Sequence, residues 1–540
     1  MFKENKVSGQ LSIMDSLNWM APNNRKRLEE SWAPVFFEHV FSRIDETPFS
    51  RLYSSSGTGN PNFPVNILLS LEFIKYMKDS TDLEMLDDFY FDYQVNYALG
   101  IRVMGEKSLS DRTLYNFRSR IVEYLLNNPD EENILFSQFI QLLRHFAEKA
   151  NISTFKLRID TSMFMSNIKK AGRLSLSYDM LMTIIQAIPE GSRTEELNQA
   201  LGKDFKNDMI YRVKSGDIES RLKSLLELCR TGLGVLCSVP NADQKQIAMT
   251  QRFLTDQAVI DGDTGQLKAK NRKEILPDSL QSPHDPDATY RIKGNKSQSG
   301  YVVAITETCE KSNPFQLITD VAVEKNITSD VQILRDRLPV IKENTDCSDI
   351  YADGGFNSDK VDEMAEANNV KIHLTDMTGH KPTVKIPVTE FSIDPQTRCI
   401  LKCPQGNIPT RAGVGNSQSI AHFPHETCEN CPLKNQCYSK RIRKDSVVRI
   451  NLKAIASSIK REELRRARKE NVSLRAAVEG TMSCLLRGGL AKTFVRGLVK
   501  NRIVAIYMTA GQNFKRFNRY LHGGYEKQML ARGCGIPVPI

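Results

Sequence analysis

Two aspartates stand where an open α/β sheet could present a carboxylate to solvent. Asp160 closes the alternating run FKLRID and is followed by Thr161 and Ser162. Asp353 closes DIYAD and is followed by Gly354-Gly355, a pair that permits a tight turn and close approach of a large ligand. Alternation of apolar and polar residues predicts half-buried strands. Ligands of open α/β sheets bind beyond the carboxyl ends of the strands. Adjacent, parallel strands would therefore put both acids at one edge. A third acid is expected from NVSLRAAVEGTMSCLLRGG, in which only Glu479 is acidic. Leu474, Val478, Met482 and Leu485 form a helical apolar stripe there, and Arg475 lies one turn before Glu479 on the same face. Asp320 and Asp330 are the alternatives for the third acid. Three carboxylates in a basic field suit two divalent cations about 4 Å apart acting on a phosphodiester, one activating the attacking oxygen and one stabilising the leaving oxygen. Hard oxygen donors select Mg²⁺ or Mn²⁺. Singly, each acid reads more readily as structural, a turn former or a helix-pair partner, than as catalytic. Together, in this order, they favour catalysis.

The second chemical signal is sulfur. Eleven cysteines make an odd count, which argues against a disulfide framework. Five fall between Cys399 and Cys437. Cys403, the Cys428-x₂-Cys431 pair and Cys437 can close tetrahedrally around a structural Zn²⁺, with Cys399, His422 or His425 as substitute ligands. Such an ion would hold together a segment with little core of its own.

Charge points to a polyanion. The chain is +10 overall, from 74 basic and 64 acidic residues. Residues 1–150 hold 16 Lys/Arg against 21 Asp/Glu, whereas residues 440–540 hold 23 against 6. A basic excess confined to one end, in a segment that also shows apolar periodicity, suggests nucleic acid over a merely solvated face. Lys492, Arg496 and Lys500 recur every four residues, and Lys515, Arg516 and Arg519 follow. With Arg475 and Arg487 these are the expected contacts to the DNA backbone.

The elements that must position these groups follow from periodicity. A chain of 540 residues, 40% hydrophobic and 26% charged, has material for two to four domains. That balance excludes a largely disordered or collagen-like chain. No apolar run reaches the roughly 18 residues of a membrane span, and the start MFKENKVSGQ lacks a signal-peptide core. A cytoplasmic protein, nucleoid-associated when on DNA, is expected. Residues 1–150 read as helices. Pro64 starts one, and Ser110 caps another whose Leu114, Phe117, Ile121 and Leu125 share a face. This pattern fits a helix-turn-helix unit or any helical bundle. Residues 151–380 read as a mixed α/β core in the order β-β-β-α-β-α-β, interrupted by helices at about 171–260. Residues 271–299 read as loop, and the helix at about 328–345 as broken near Pro339. Residues 381–440 form a Cys-rich, zinc-ribbon-like insertion, and 441–540 a basic helical end that completes the core.

DTSMFMSN at 160–167, YADGGFNS at 351–358, RAAVEG at 475–480 and FVRGLVKNR at 494–502 together resemble the DDE transposases of bacterial insertion sequences. The likeness is greatest to the group conventionally numbered eleven eighty-two. DPDA at 285–288, KGNKSQSGY at 293–301, NYALGI at 96–101 and SDRTLYNFRSRI at 110–121 extend it over about residues 50–522. The Cys-Pro and Cys-x₂-Cys-Pro-Leu pattern also occurs in that family. The resemblance implies a ribonuclease-H-like fold carrying Asp160, Asp353 and Glu479. It implies Mg²⁺-dependent cleavage at terminal inverted repeats that frees a 3′-hydroxyl, and attack of that hydroxyl on target DNA. Pairing two DNA ends makes a homodimer the simplest assembly. Two positions depart from the pattern: Val472 and Leu486 stand where the family usually has Tyr and Lys. Arg487 is one residue on, rotated by about 100° around a helix. A transposase-derived DNA-binding protein without activity, and a metal-dependent nuclease without strand transfer, are the rival readings.

Overall fold

The computed structural model describes residues 1–5, 14–54, 60–129, 131, 133–169, 171–262, 265–293, 296–376 and 385–524. Gly294 and Asn295 of KGNKSQSGY, the beginning of the Cys-rich segment at 381–384, and Cys534 lie outside the described residues. The elements used below are α1 (Val65–Lys78), α2 (Asp82–Phe91), α3 (Asp111–Asn127), α4 (Ile134–Lys149), β1 (Lys156–Met165), α5 (Arg173–Ala187), α6 (Ile218–Ser238) and α7 (Gln244–Gln257). There follow β2 (Thr289–Lys293), β3 (Lys296–Thr308), β4 (Ile318–Lys325), α8 (Asp330–Asn344), β5 (Asp349–Ala352), α9 (Asp359–Ala367) and β6 (Lys371–Leu374). The chain ends with β7 (Arg411–Val414), β8 (Gln418–Pro424), β9 (Ser439–Ile442), β10 (Asp445–Asn451), α10 (Leu452–Leu485) and α11 (Leu498–Leu521).

Two compact units form. One gathers Met1–Phe155, Asp160–Asp346 and Val478–Ile540, and the other Lys156–Ile159 and Cys347–Ala477. In the first unit α1 is buried almost all round, as a helix apolar on every face must be. The last helix, α11, shares its core: Phe514 packs edge-on against Phe36 at 5.0 Å, and Phe517 stacks on Phe146 at 4.6 Å. Ser110 caps α3 as expected, its Oγ accepting from Thr113 N, and Leu114, Phe117 and Ile121 are buried. Within α3, Arg118 turns inward to Glu72 and Asp82. The expected helical interruption is α5, α6 and α7 around a core of their own that includes Ile184, Leu226 and Phe253.

Strand pairing gives a mixed α/β arrangement. In the first unit β3 pairs antiparallel with β2 and with β4, and β1 neighbours β3. In the second, Lys156–Arg158 of β1 pair in parallel with Asp349–Tyr351 of β5, and β5 pairs in parallel with β6. The second unit also holds a four-stranded antiparallel sheet, β7-β8-β10-β9.

Several expectations need correction. The segment expected as loop contains β2 and the start of β3, joined by main-chain pairing from Thr289–Gly300 to Lys293–Lys296. Its residues are polar because the hairpin is largely exposed beyond Tyr290, so the apolar signal is missing. α8 runs unbroken through Pro339, with Leu334, Leu338 and Ile341 buried on one side. Residues 441–451, expected as helix, belong to β9 and β10. Their Val447, Val448 and Ile450 are core residues of the sheet.

Gly300 shows how tightly β1 and β3 meet. Its φ is +153°, and a Cβ there would sit 2.3 Å from the Phe164 carbonyl oxygen and 2.9 Å from Ser166 N. Both obstacles are backbone, so they cannot swing aside. Gly300→Ala is expected to destabilise the chain by about 3 kcal/mol, read as a lowered urea midpoint, whereas Gly191→Ala, which meets no atom within 4 Å, should leave the midpoint within error.

Candidate active site and basic face

Asp353 follows the last residue of β5 and caps the 3₁₀ turn Gly354–Phe356. Its Oδ1 accepts from Gly355 N at 2.8 Å. Its Oδ2 lies 3.7 Å from Arg475 Nη2 of α10, an ion pair in which both side chains are largely covered. The sequence expectation that Asp353 ends a strand beside a glycine turn therefore matches the local geometry. β5 is short because Asp353 turns its side chain back onto the main chain, the usual behaviour of Asp at a helix start.

Asp160 differs from expectation. It is the fifth of ten residues in β1 rather than its last: the strand runs on to Met165, with Thr161 and Phe164 buried. It is half-buried, and its Oδ1 accepts from Thr161 N at 2.9 Å. Two residues earlier, on the same strand face, Arg158 donates from Nη1 to the Leu474 carbonyl of α10 at 2.9 Å. Glu479 is exposed on α10, and Leu474, Val478, Met482 and Leu485 are all buried, as the apolar stripe predicts. Among the described residues, no group of three or more His, Cys, Asp or Glu side chains stands close enough to hold a metal ion. The alternatives for the third acid are occupied. Asp320 is buried in a bidentate pair with Arg337, and Asp330 accepts from Thr161 Oγ1 at 2.9 Å.

The basic residues divide by orientation. Arg487, Lys492, Arg496, Lys500, Lys515 and Arg519 are exposed. Arg496 Nε donates to the Asn167 carbonyl at 2.9 Å. Arg516, expected among the DNA contacts, instead faces inward. Its Nη1 lies 2.9 Å from Oε2 of Glu307, which is fully buried, and it also donates to Thr481 Oγ1 and the Gln316 carbonyl. Periodicity could not separate it from its neighbours, because it sits one position from Lys515 and the distinction lies in a partner about 200 residues away.

The four cysteines Cys403, Cys428, Cys431 and Cys437 line one cleft beside β8 and β10, with Phe423, Leu433 and Val448 behind them. Cys399, His422 and His425 are not among its lining residues. Cys403 opens a turn closed by Gly406 N donating to its carbonyl at 2.8 Å, with Gly406 at φ +81°. Burial pushes the Cys428 thiol pKa up. A hydrogen bond with Ser446 lowers it, and the nearby Cys437, Cys403 and Cys431 raise it further.

Sequence reasoning missed the anchors behind this region. Asp285 is fully buried and accepts from Ser166 Oγ and from Tyr301 Oη, the latter at 2.6 Å. Asp287 Oδ2 accepts from Leu498 N at the start of α11. The DPDA motif is thus a structural clasp. Its acidic spacing carried the signal, but no partner was visible in the sequence.

Two family models match the chain. Residues 402–518 match the one described as Transposase DDE domain, and residues 25–120 the one described as Transposase domain (DUF772). The first spans the cysteine cleft, Glu479 and α11; the second spans α1 and α2 and the start of α3. No curated protein and no solved structure matches the chain. The two models, lying toward opposite ends of the sequence, indicate a DNA transposase, and the DDE domain implies an enzyme acting on DNA. Among the described residues no helix is long and apolar enough to cross a membrane.

Arg516→Met should strand the buried Glu307 carboxylate and destabilise the chain by about 3–5 kcal/mol. Arg519→Ala should change stability by less than about 0.5 kcal/mol. Chemical unfolding of both variants compares them, and equal, small losses would return Arg516 to the exposed basic set.

Proposed function

We propose that the chain cuts DNA at the inverted-repeat ends of an insertion sequence and joins the freed 3′-hydroxyls to target DNA. Asp160, Asp353 and Glu479 act as the metal-binding carboxylates on a ribonuclease-H-like core. The reading is supported by the two transposase-domain models and by local placement: Asp353 follows β5 at a glycine turn, and Glu479 stands exposed on α10. Lys156, Leu157 and Arg158 pair with Asp349, Ile350 and Tyr351. Arg158 ties β1 to Leu474. Antiparallel pairing of β3 with β4 in the first unit, and parallel pairing of β1 with β5 and of β5 with β6 in the second, support the fold assignment.

Three carboxylates are the donors that Mg²⁺ or Mn²⁺ prefers. Two such ions bound there would supply Lewis-acid chemistry at the phosphodiester. Arg475 holds Asp353 in place. Arg487, Lys492, Arg496, Lys500, Lys515 and Arg519 face the DNA backbone, so binding should weaken steeply with salt. A homodimer would pair the two DNA ends. In the second unit, Cys403, Cys428, Cys431 and Cys437 line one cleft and would hold a structural Zn²⁺ once drawn together around it, four thiols being a fitting donor set. Val472 and Leu486, which depart from the family pattern, favour the inactive DNA-binding protein as the second reading.

Asp160→Ala and Asp353→Ala should each abolish Mg²⁺-dependent strand cleavage while leaving DNA binding intact. Nicking retained by either variant would refute the triad. A wild-type chain that binds DNA but never cuts supports the inactive reading, and cutting without joined products supports a nuclease.

Zinc has its own test. Denatured wild-type protein should release one Zn²⁺ per chain to a colorimetric chelator, and the double variant Cys428→Ser/Cys431→Ser none. Equal release from both would sink the assignment.

A further inference from the structure

We propose that Phe494 is a base-stacking residue that receives an unpaired nucleobase of the bound DNA, with Lys492 and Arg496 on the phosphates to either side. This rests on the DNA-binding reading above. Phe494 is 88% exposed, more than any other large apolar side chain among the described residues. Single exposed apolar residues are ordinary, so the case depends on how this one is displayed.

The display is built rather than loose. Residues 491–495 run along the end of β1. Met165 N donates to Ala491 O at 3.0 Å, Thr493 N to Met165 O at 3.1 Å, and Asn167 N to Val495 O at 3.2 Å. Asn167 Nδ2 donates to the Phe494 carbonyl itself at 3.1 Å. Thr493 points inward, 3% exposed, and its Oγ1 donates to the buried Asn501 at 2.7 Å. The chain bends at Phe494, which carries the ring outward. Lys492, Phe494 and Arg496 are all exposed while Thr493 is buried. Each cation is about 7 Å along the chain from the ring.

A phenyl ring between two cations complements a base between two phosphates. Aromatic faces stack on any base, and flanking Lys or Arg neutralises the backbone. The ring also forms part of the wall of a cleft in the first unit whose other walls include Tyr76, Tyr115, Arg118, Gly489 and Lys500. The cleft adds aromatic groups beside the ring; its Lys75 and Arg118 are paired with Glu72 and Asp82, so the charge offered to a ligand comes from Lys492, Arg496 and Lys500. The charge around Phe494 argues for nucleic acid over an apolar protein partner as its occupant.

The test uses the full chain and two DNAs of the same arbitrary sequence, a blunt duplex and a fork with unpaired arms. Wild type should prefer the fork. Phe494→Ala should weaken fork binding about tenfold and blunt binding little, with the slope of log affinity against log salt unchanged because no phosphate contact is lost. Phe494→Trp should restore fork binding and show tryptophan quenching on the fork. Lys492→Ala should lower the salt slope by about 1. If wild type binds blunt and forked DNA equally, or Phe494→Ala binds the fork as wild type does, the stacking role is overturned while DNA binding stands. If wild type binds neither DNA, both this inference and the reading beneath it fall.

Discussion

The parallel pairing of β1 with β5 is the constraint that fixes the register of Lys156–Arg158 against Asp349–Tyr351. Parallel strands need a crossover, and here the chain between them is very long, holding the α5–α7 insertion, the β2–β4 strands and α8. Register then decides which face each side chain takes. A slip of one residue would turn every β1 side chain to the opposite face. Leu157 and Ile159 are buried at 0% and 1%, which makes such a slip costly. Arg158 adds a polar lock on the other face, where its guanidinium reaches the Leu474 carbonyl. The apolar residues of β1 thus fix where Asp160 points without touching it.

Much of this was legible in the sequence, and the failures share a physical cause. β1 announces itself by the alternation of FKLRID, and β5 and β6 could be read as short apolar-containing runs, β5 being buried on three consecutive residues. The α10 stripe could be read because Leu474, Val478, Met482 and Leu485 are spaced for one face of a helix. The β2–β3 hairpin could not, since polar, exposed strands lack that alternation. The end of β1 was misplaced because Asp160 and Thr161 look like a turn, and only Phe164, beside the Cβ-free Gly300, shows that the strand goes on. Arg516 was misread for a different reason. Its partner Glu307 lies on β3, and no local pattern reports a contact over that separation.

The inward Arg516 also changes how the basic end of the chain is understood. A net positive segment is usually taken as one surface, but α11 has two kinds of cation. Arg516 satisfies a carboxylate that is 0% exposed, and losing it would leave a buried charge without its counter-ion. Lys515 and Arg519 lie on the exposed part of the same helix. The charge count at this end therefore overstates the field offered to a polyanion.

The two clasps around Asp285 and Asp287 give that exposed field its shape. Asp285 gathers Ser166, just past β1, and Tyr301 of β3, while Asp287 accepts from the first residue of α11. The segment carrying Lys492, Phe494 and Arg496 is hydrogen-bonded to β1 on one side and enters α11 on the other. Its backbone is consequently set by the core of the first unit rather than by its own composition. Burial pushes the Tyr301 hydroxyl pKa far up, and Asp285 beside it raises it further, so the hydroxyl keeps the proton it donates. Fixed side chains lose little conformational freedom when they meet a ligand. A basic and aromatic face held this way can select the shape of what it binds, where flexible lysines would attract any polyanion alike.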